Sequence, residues 1–133
     1  MVCTYCGCET QVINSRLQKR LNKVWRRRKC QGCNCVITTL EGPDFSSTLL
    51  FKSPNGHLEP FQRDKLFLSV YDALKHRKTA QQDATALTDT VIAKLLGQVH
   101  DATLLKKDVI DTTSGVLKNF DKAAATSYAA FHS

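Results

Sequence analysis

The sequence lacks any long apolar run, and no hydrophobic stretch approaches the ~20 residues that a membrane-spanning helix needs. It also lacks a secretory signal, because the chain begins with a cysteine pair instead of a basic segment followed by an apolar one. Strand and helix patterns do not alternate as in βαβ units. We therefore expect a cytoplasmic protein with no membrane partner, in which the cysteines neither form a disulfide framework nor act as a thioredoxin-like pair.

Acidic residues are almost absent from residues 1–40, where Glu9 stands alone. Residues 41–133 hold equal numbers of acidic and basic residues, so the N-terminal stretch accounts for the whole net charge of +7. Such segregation favours a phosphate backbone as partner, and we predict contact with double-stranded DNA. An idle basic surface, RNA and an acidic protein remain alternatives. The basic residues of this stretch are Arg16, Lys19, Arg20, Lys23, Arg26, Arg27, Arg28 and Lys29.

Four of the six cysteines form two Cys-x-x-Cys pairs that flank this basic stretch. Two such pairs can place four thiolates tetrahedrally around one zinc ion, with Zn–S distances near ~2.3 Å. Four protein ligands close the coordination sphere, so the pattern predicts one structural Zn²⁺ and argues against hydrolytic catalysis. The predicted ligands are Cys3, Cys6, Cys30 and Cys33.

Both cysteine pairs are followed by residues suited to a metal-binding turn. Gly7 follows the first pair and Asn34 the second, and these residue types best tolerate the left-handed backbone conformation. Cys8 and Cys35 each stand two residues after a pair. They are interpreted either as small strand residues near the metal or as a redox-sensitive pair.

A change of composition near position 44 divides the chain into two parts. The run Glu41-Gly42-Pro43-Asp44 is typical of a loop, and residues 45–47 are predicted to be a linker. We expect a β-rich zinc ribbon over residues 1–44, which needs its metal because it is too small to bury a core. Residues 45–133 are long enough for a core of their own. The fold class is predicted to be α+β.

The second part begins with hairpin signals and continues with helical periodicity. Strands are expected over residues 48–52 and 57–59, joined by the turn Ser53–Gly56, and Pro60 is expected to open a helix. The apolar spacing predicts four helices, over about 61–77, from Thr79 to Gly97, over about 104–118, and from Asp121 onward. Thr79 and Gln82 are expected to form a capping box. The predicted buried stripes are Leu66, Phe67, Val70, Tyr71 and Leu74; Leu87, Val91, Ile92, Leu95 and Leu96; Leu105, Val109, Ile110, Val116 and Leu117; and Tyr128 and Phe131.

In this order the motifs resemble the NrdR-type bacterial repressors of ribonucleotide reductase genes. The N-terminal part resembles their zinc ribbon, and the second part resembles an ATP-cone, a nucleotide-binding regulatory domain built from a short β-hairpin and a four-helix bundle. The matching segments are Cys3-Thr4-Tyr5-Cys6-Gly7, Val12-Ile13-Asn14-Ser15-Arg16, Arg26-Arg27-Arg28-Lys29-Cys30-Gln31-Gly32-Cys33, Thr38-Thr39-Leu40-Glu41, and Lys52 with Gly56 and Glu59-Pro60-Phe61-Gln62-Arg63-Asp64-Lys65-Leu66.

The resemblance implies a nucleotide site between the hairpin and the first helix of the bundle. Lys52 and Lys65 would reach the phosphates, and the helix N-terminus would add favourable partial charge. Glu59 and Gln62 match positions that contact base or sugar in the family, and Leu50 would line the base pocket. The chain shows no carboxylate pair suited to phosphoryl transfer, so the nucleotide is expected to be an effector. The expected nucleotide-binding residues are Leu50, Phe51, Lys52, Gly56, Glu59, Gln62 and Lys65.

The resemblance also implies a function. It suggests a non-enzymatic bacterial repressor, associated with the nucleoid, that binds operator DNA of ribonucleotide reductase genes. ATP and dATP, with Mg²⁺, would switch the oligomeric state of the ATP-cones. Two alternatives are open. One is an adaptor that binds ribonucleotide reductase or RNA directly, and the other is a redox protein that uses the six cysteines.

Overall fold

The computed structural model describes residues 1–132, which divide into two compact units on either side of the bond between Pro43 and Asp44. We call residues 1–43 the ribbon and the residues from Asp44 onward the helical unit. The ribbon is made of strands, and the helical unit is made of helices with a small sheet. This arrangement confirms the predicted α+β class. No helix within residues 1–132 is long and apolar enough to cross a membrane.

The ribbon contains one antiparallel sheet with the strand order β1-β2-β3, so that β2 lies in the middle. An irregularity in the pairing of β1 with β2 falls between Val12 and Asn14, which leaves Ile13 as a bulge. Asn22, in the turn between these strands, has a left-handed backbone with a φ of 51°. The strands are β1 (Thr10–Gln18), β2 (Lys23–Cys30) and β3 (Val36–Glu41).

The ribbon has almost no hydrophobic core of its own. Cys3 and Cys30 are its only buried residues, at 3% and 1% exposure, and every residue of β1 after Thr10 is exposed. A three-stranded sheet with both faces open buries too little apolar surface to be stable alone. The stability of the ribbon must therefore come from the place where its two buried cysteines meet.

The helical unit is a bundle covered by a small mixed sheet. The sheet has the order β5-β4-β6, with β4 antiparallel to β5 and parallel to β6. Helix α2 packs against α3 and α5, and α4 packs against α3 and α5, which closes a four-helix bundle. The elements are α1 (Phe45–Thr48), β4 (Leu50–Lys52), β5 (Leu58–Pro60), α2 (Arg63–Leu74), α3 (Ala80–Leu96), β6 (Thr103–Leu105), α4 (Lys106–Phe120) and α5 (Lys122–Phe131).

Aliphatic side chains from the helices form the core of this unit. Val70 and Leu74 of α2, Leu95 of α3 and Leu117 of α4 are at most 1% exposed. Burying each such side chain contributes about 1.5–3 kcal/mol. Phe51 of β4 packs against this core from the sheet. The helical unit can therefore fold around its own apolar residues, unlike the ribbon.

The predicted linker over residues 45–47 is wrong, because these residues lie in helix α1. Asp44 is its N-cap, and its carboxylate accepts hydrogen bonds from the backbone N–H of Ser46 and from the hydroxyls of Ser46 and Ser47. Thr48, predicted in a strand, ends this helix, and its hydroxyl donates to the carbonyl of Asp44. The Asp-x-Ser-Ser pattern was a helix-start signal.

Pro60 does not open a helix, and the first bundle helix is shorter than predicted at both ends. Pro60 ends β5 and is paired with Leu50 of β4. Because β5 is an edge strand, the sheet loses no hydrogen bond through the missing N–H of Pro60. Phe61 is buried, and its N–H donates to the carbonyl of Leu49. Helix α2 therefore begins only at Arg63.

Other predictions on the bundle were also wrong. Thr79 gives no side-chain cap, because its hydroxyl donates to Asp83 instead, so the capping box with Gln82 does not form. Strand β6 was missed, and Leu105 ends this strand instead of lying inside a helix. Among the residues predicted to be buried, Leu96, Leu105 and Phe131 are exposed, the last at 83%.

Asp121 joins the start of α5 to the loop between α2 and α3. Its Oδ1 accepts hydrogen bonds from the backbone N–H groups of Ala123 and Ala124, at 2.9 and 3.2 Å. Its Oδ2 lies 2.9 Å from Nε2 of His76 and accepts from Nη1 of Arg77 at 3.1 Å. The hydrogen bond with His76, followed by that from Ala124, holds the pKa of Asp121 well below its usual range.

We expect Asp121→Ala to lower the thermal midpoint of the helical unit by roughly 4–8 °C at pH 7, since it removes both a helix cap and two cross-links. Because the pKa of Asp121 is lower in the folded chain, its contribution is fully present above the unfolded pKa of about 3.9, begins to be lost below it, and is gone only when the pH falls below the folded pKa. Circular dichroism at 222 nm, at pH 7 and pH 3, measures both effects.

Asp111→Ala is the matched control, because Asp111 is an exposed aspartate inside α4. It should leave the midpoint within about 2 °C of the unmodified protein at both pH values. Equal losses from Asp111→Ala and Asp121→Ala at pH 7 would contradict the cross-linking role.

Candidate zinc centre, basic sheet and cavity

The four predicted zinc ligands converge at one point of the ribbon. Their sulfur atoms all lie within 4.8 Å of one another, and this set consists of Cys3, Cys6, Cys30 and Cys33. Sγ of Cys3 is 3.8 Å from that of Cys33, and Sγ of Cys6 is 3.3 Å from that of Cys30. Sulfur atoms bound tetrahedrally to one zinc ion lie about 3.8 Å apart. This donor set fits a single structural zinc ion.

The backbone beside Cys30 favours the thiolate form of this cysteine. The N–H groups of Gly32 and Cys33 donate to Sγ of Cys30, at 3.2 and 3.3 Å. Together with the contact from Cys6, these donors lower the pKa of Cys30 to about 6, the bond from Cys33 being the largest cause. A lower pKa favours the thiolate, which is the form that binds a metal.

The predicted left-handed residues are confirmed at both turns. Gly7 has a φ of 78° and Asn34 a φ of 63°. Gly32 matters for a different reason: a Cβ atom added there would lie 2.6 Å from Sγ of Cys8. The first cysteine turn therefore packs directly against the backbone of the second, and a side chain at position 32 would push the two turns apart.

Cys8 and Cys35 contribute their backbone carbonyls to matching hydrogen bonds. The N–H of Cys3 donates to the carbonyl of Cys8 at 2.7 Å, and that of Cys30 donates to the carbonyl of Cys35 at 2.9 Å. Both residues are exposed and lie before β1 and β3, so the interpretation as strand residues was wrong. Every residue type has a backbone carbonyl. These two hydrogen bonds therefore do not explain why a cysteine stands at either position.

The predicted DNA-binding residues are concentrated on the middle strand of the ribbon. Strand β2 runs directly into Cys30, which fixes one end of the strand at the four-sulfur cluster. The guanidinium carbon of Arg16 lies 5.8 Å from the centre of the Trp25 ring, within range of a cation–π interaction. Arg16 lies in β1, Lys19 and Arg20 in the turn that follows, and Lys23, Arg26, Arg27, Arg28 and Lys29 in β2.

A cavity of about 180 Å³ opens in the helical unit between the sheet and the starts of α2 and α4. Four of the predicted nucleotide-binding residues line it, namely Phe51, Glu59, Gln62 and Lys65. The other three, Leu50, Lys52 and Gly56, are not among its lining residues.

Strand alternation separates Lys52 from this cavity. Phe51 points toward the bundle, so its neighbours Leu50 and Lys52 point to the other face of the sheet, where both are exposed. Lys52 lines a second depression there, next to Leu58 and Leu105. Gly56 lies in the hairpin turn with a φ of 86°. The structure therefore brings Lys65 to the cavity but leaves Lys52 on the outer side of the hairpin.

Lys106, Tyr128 and His132 also line the cavity, although the sequence did not assign them to the nucleotide site. Lys106 begins α4, Tyr128 lies in the last turn of α5, and His132 directly follows that helix, with its ring centre 4.2 Å from that of Tyr128. Burial, and secondly the charge of Lys106, lowers the pKa of His132. The cationic groups of the cavity at neutral pH are therefore Lys65 and Lys106. Nζ of Lys65 lies 3.5 Å from a carboxylate oxygen of Glu59.

The chain is similar to known repressors over nearly its whole length. Residues 1–41 match the family model described as the N-terminal domain of transcriptional repressor NrdR-like proteins. The chain is also similar to proteins named transcriptional repressor NrdR from several organisms. The relative from Halorubrum lacusprofundi is 35% identical over 126 residues, which cover 93% of this chain and 76% of the relative.

Two further relatives carry the same name. The one from Neorickettsia sennetsu is 31% identical over 133 residues, covering 99% of this chain and 88% of the relative. The one from Heliobacterium modesticaldum is 29% identical over 133 residues, covering 99% and 86%. These names confirm the resemblance seen in the motifs, and they confirm the prediction of a non-enzymatic role.

We expect Cys30→Ser to abolish stoichiometric zinc binding, because it removes a buried ligand of the four-sulfur cluster. Cys35→Ser is the matched control, since it makes the same chemical change five residues away and keeps the carbonyl that closes the turn. Elemental analysis of purified protein should give about one zinc per chain for Cys35→Ser and nearly none for Cys30→Ser. Equal zinc content in the two variants would contradict the ligand assignment.

Proposed function

Because the chain belongs to the NrdR family of transcriptional repressors, we propose that it represses ribonucleotide reductase genes by binding their operator DNA in the cytoplasm. The ribbon is the part that would contact the DNA. The observation that carries this proposal is the basic middle strand β2, which ends in the four-sulfur cluster. Zinc bound to Cys3, Cys6, Cys30 and Cys33 would hold this strand in place.

The charge of the ribbon supports a nucleic-acid partner. Glu9 and Glu41 are its only acidic residues, against eight basic ones. Contacts of arginine and lysine with phosphates supply most of the affinity of DNA-binding proteins, and they release condensed counterions. Binding should therefore weaken as salt increases, and the operator sequence would be read by additional contacts with base edges.

We propose that ATP and dATP, with Mg²⁺, act as effectors in the cavity of the helical unit. The N-termini of α2 and α4 border this cavity, and both carry partial positive charge. Lys65 and Lys106 add full charges suited to a triphosphate, and Phe51 offers an apolar wall for a base. Glu59 and Gln62 would meet the sugar or base, as the family resemblance suggests.

In this proposal the hairpin completes the nucleotide site with Leu50, Lys52 and Gly56. Lys52 lies at the end of β4, beside the turn, and is exposed. Its long side chain would have to turn around the edge of the hairpin to reach the phosphates. Nucleotide binding would thus fix the position of the hairpin relative to α2.

The two nucleotides would control DNA binding through the oligomeric state of the chain. A ligand shifts an equilibrium only by its difference in affinity between the two states. ATP and dATP must therefore favour different homo-oligomers, of which one spaces the ribbons to fit the operator. In this proposal dATP favours the homo-oligomer that binds DNA. Linkage then requires that dATP and DNA strengthen each other's binding.

The test is fluorescence anisotropy of the zinc-loaded protein on the promoter of its own organism's ribonucleotide reductase genes, with a scrambled duplex as control. It is run at fixed salt without nucleotide, with ATP and with dATP. We expect promoter-selective binding that dATP strengthens and ATP weakens, by roughly 5–150-fold between the two. Equal binding to both duplexes, indifferent to nucleotide, would contradict the proposal and favour an adaptor for reductase or RNA.

Lys65→Ala separates the nucleotide site from the DNA site. It should remove the response to nucleotide and leave nucleotide-free DNA binding unchanged, because Lys65 lies in the helical unit. Lys118→Ala, a change at an exposed lysine in the last turn of α4, is the control and should keep the full response. An unaltered response in Lys65→Ala would move the effector site away from this cavity.

A further inference from the structure

The basic residues of β2 are divided between the two faces of the ribbon sheet. Successive side chains of a strand point to opposite faces, so neighbours in the arginine run cannot act on the same surface. Contacts across the sheet identify each face. One is the Trp25 face, which carries Arg16, Lys23, Trp25, Arg27 and Lys29. The other is the Glu41 face, which carries Arg26, Arg28, Thr39 and Glu41.

The arginines of the Glu41 face already have partners within the protein. Nη1 of Arg26 lies 3.6 Å from a carboxylate oxygen of Glu41. Nε of Arg28 donates to the hydroxyl of Thr39 at 3.2 Å. Both arginines are half-buried. Either arginine would have to give up part of these contacts before it could bind a phosphate. The free energy lost in this way would offset part of the free energy gained from the phosphate.

The cations of the Trp25 face are free of such competition. Arg27 and Lys29 are exposed, and within residues 1–132 no carboxylate lies within ion-pair distance of either. Arg16 is held over the ring of Trp25, which restricts its side chain in advance and so reduces the entropy lost on binding.

The acidic residues reinforce the difference between the faces. Glu41 is paired opposite Val24 and belongs to the face that bears its name. Glu9 precedes β1, beside the cysteine turns and beyond the paired strands. Strands β1, β2 and β3 therefore place no carboxylate on the Trp25 face, and all the charged side chains that these strands carry there are cations.

We infer that the ribbon meets DNA with its Trp25 face, and that Arg16, Arg27 and Lys29 contact phosphates. This inference rests on the proposed DNA-binding function and specifies the surface that performs it. Charge complementarity selects the partner, because a face whose exposed charged groups are all cations, with no carboxylate among them, matches a phosphate backbone. Arg26 and Arg28 on the Glu41 face then serve the stability of the sheet.

Two double variants of the same strand test the assignment. Arg27→Ala with Lys29→Ala removes two charges from the Trp25 face, and Arg26→Ala with Arg28→Ala removes two from the Glu41 face. Both are compared with the unmodified full-length protein on the promoter duplex, by anisotropy over a series of KCl concentrations. Zinc content of about one per chain in each variant confirms that the ribbon is folded.

We expect the Trp25-face variant to lose about tenfold or more in affinity and to reduce the slope of log K against log salt by about 2, since each lost phosphate contact contributes about 0.9. The Glu41-face variant should keep its slope and stay within about threefold in affinity. If a double variant loses its zinc, the single changes Arg27→Ala and Arg28→Ala make the same comparison, with an expected slope change of about 1 against none.

Three outcomes would overturn the inference. A loss confined to the Glu41-face variant would assign the DNA to the opposite surface. Equal losses in both variants would mean that the total charge matters and the face does not. Failure of the unmodified protein to bind any duplex would overturn the proposed function itself, which distinguishes it from the first two results.

Discussion

The convergence of four thiolates on one point is the constraint on which the ribbon depends. Cys3 and Cys30 are the only residues buried in this unit, and they come from the two turns that flank the basic stretch. Zinc coordination supplies the free energy that a hydrophobic core supplies elsewhere, because ligand binding and folding are then the same event. Cys30 also ends β2, so the basic strand is attached at one end to this cluster.

The helical unit is stabilised differently, and this difference suits a regulatory role. Its core of aliphatic side chains needs no metal, so the effector site proposed there would respond to nucleotide without depending on the zinc of the ribbon. The cavity lies where the hairpin meets the starts of α2 and α4. In the proposed mechanism, a change at this junction would affect DNA binding by altering how copies of the chain associate.

Local chemistry decided what could be predicted from the sequence. Cysteine spacing and the left-handed positions Gly7 and Asn34 were predictable, because metal geometry leaves few solutions. Strand β6 was missed because Thr103–Leu105 pairs with β4, some fifty residues earlier, and only the folded chain brings them together. The outward position of Lys52 follows from sheet alternation and not from its place in a motif. Lys106 was not predicted at the cavity because it directly follows this strand, at the start of α4.

The most direct test of this account is DNA binding before and after removal of zinc. The protein is stripped with a chelator, reloaded with one equivalent of Zn²⁺, and followed by promoter anisotropy and by ellipticity at 222 nm. We expect stripping to abolish DNA binding, reloading to restore it, and the helical signal to persist throughout, since only the ribbon depends on the metal. Undiminished DNA binding by the zinc-free protein would contradict this expectation.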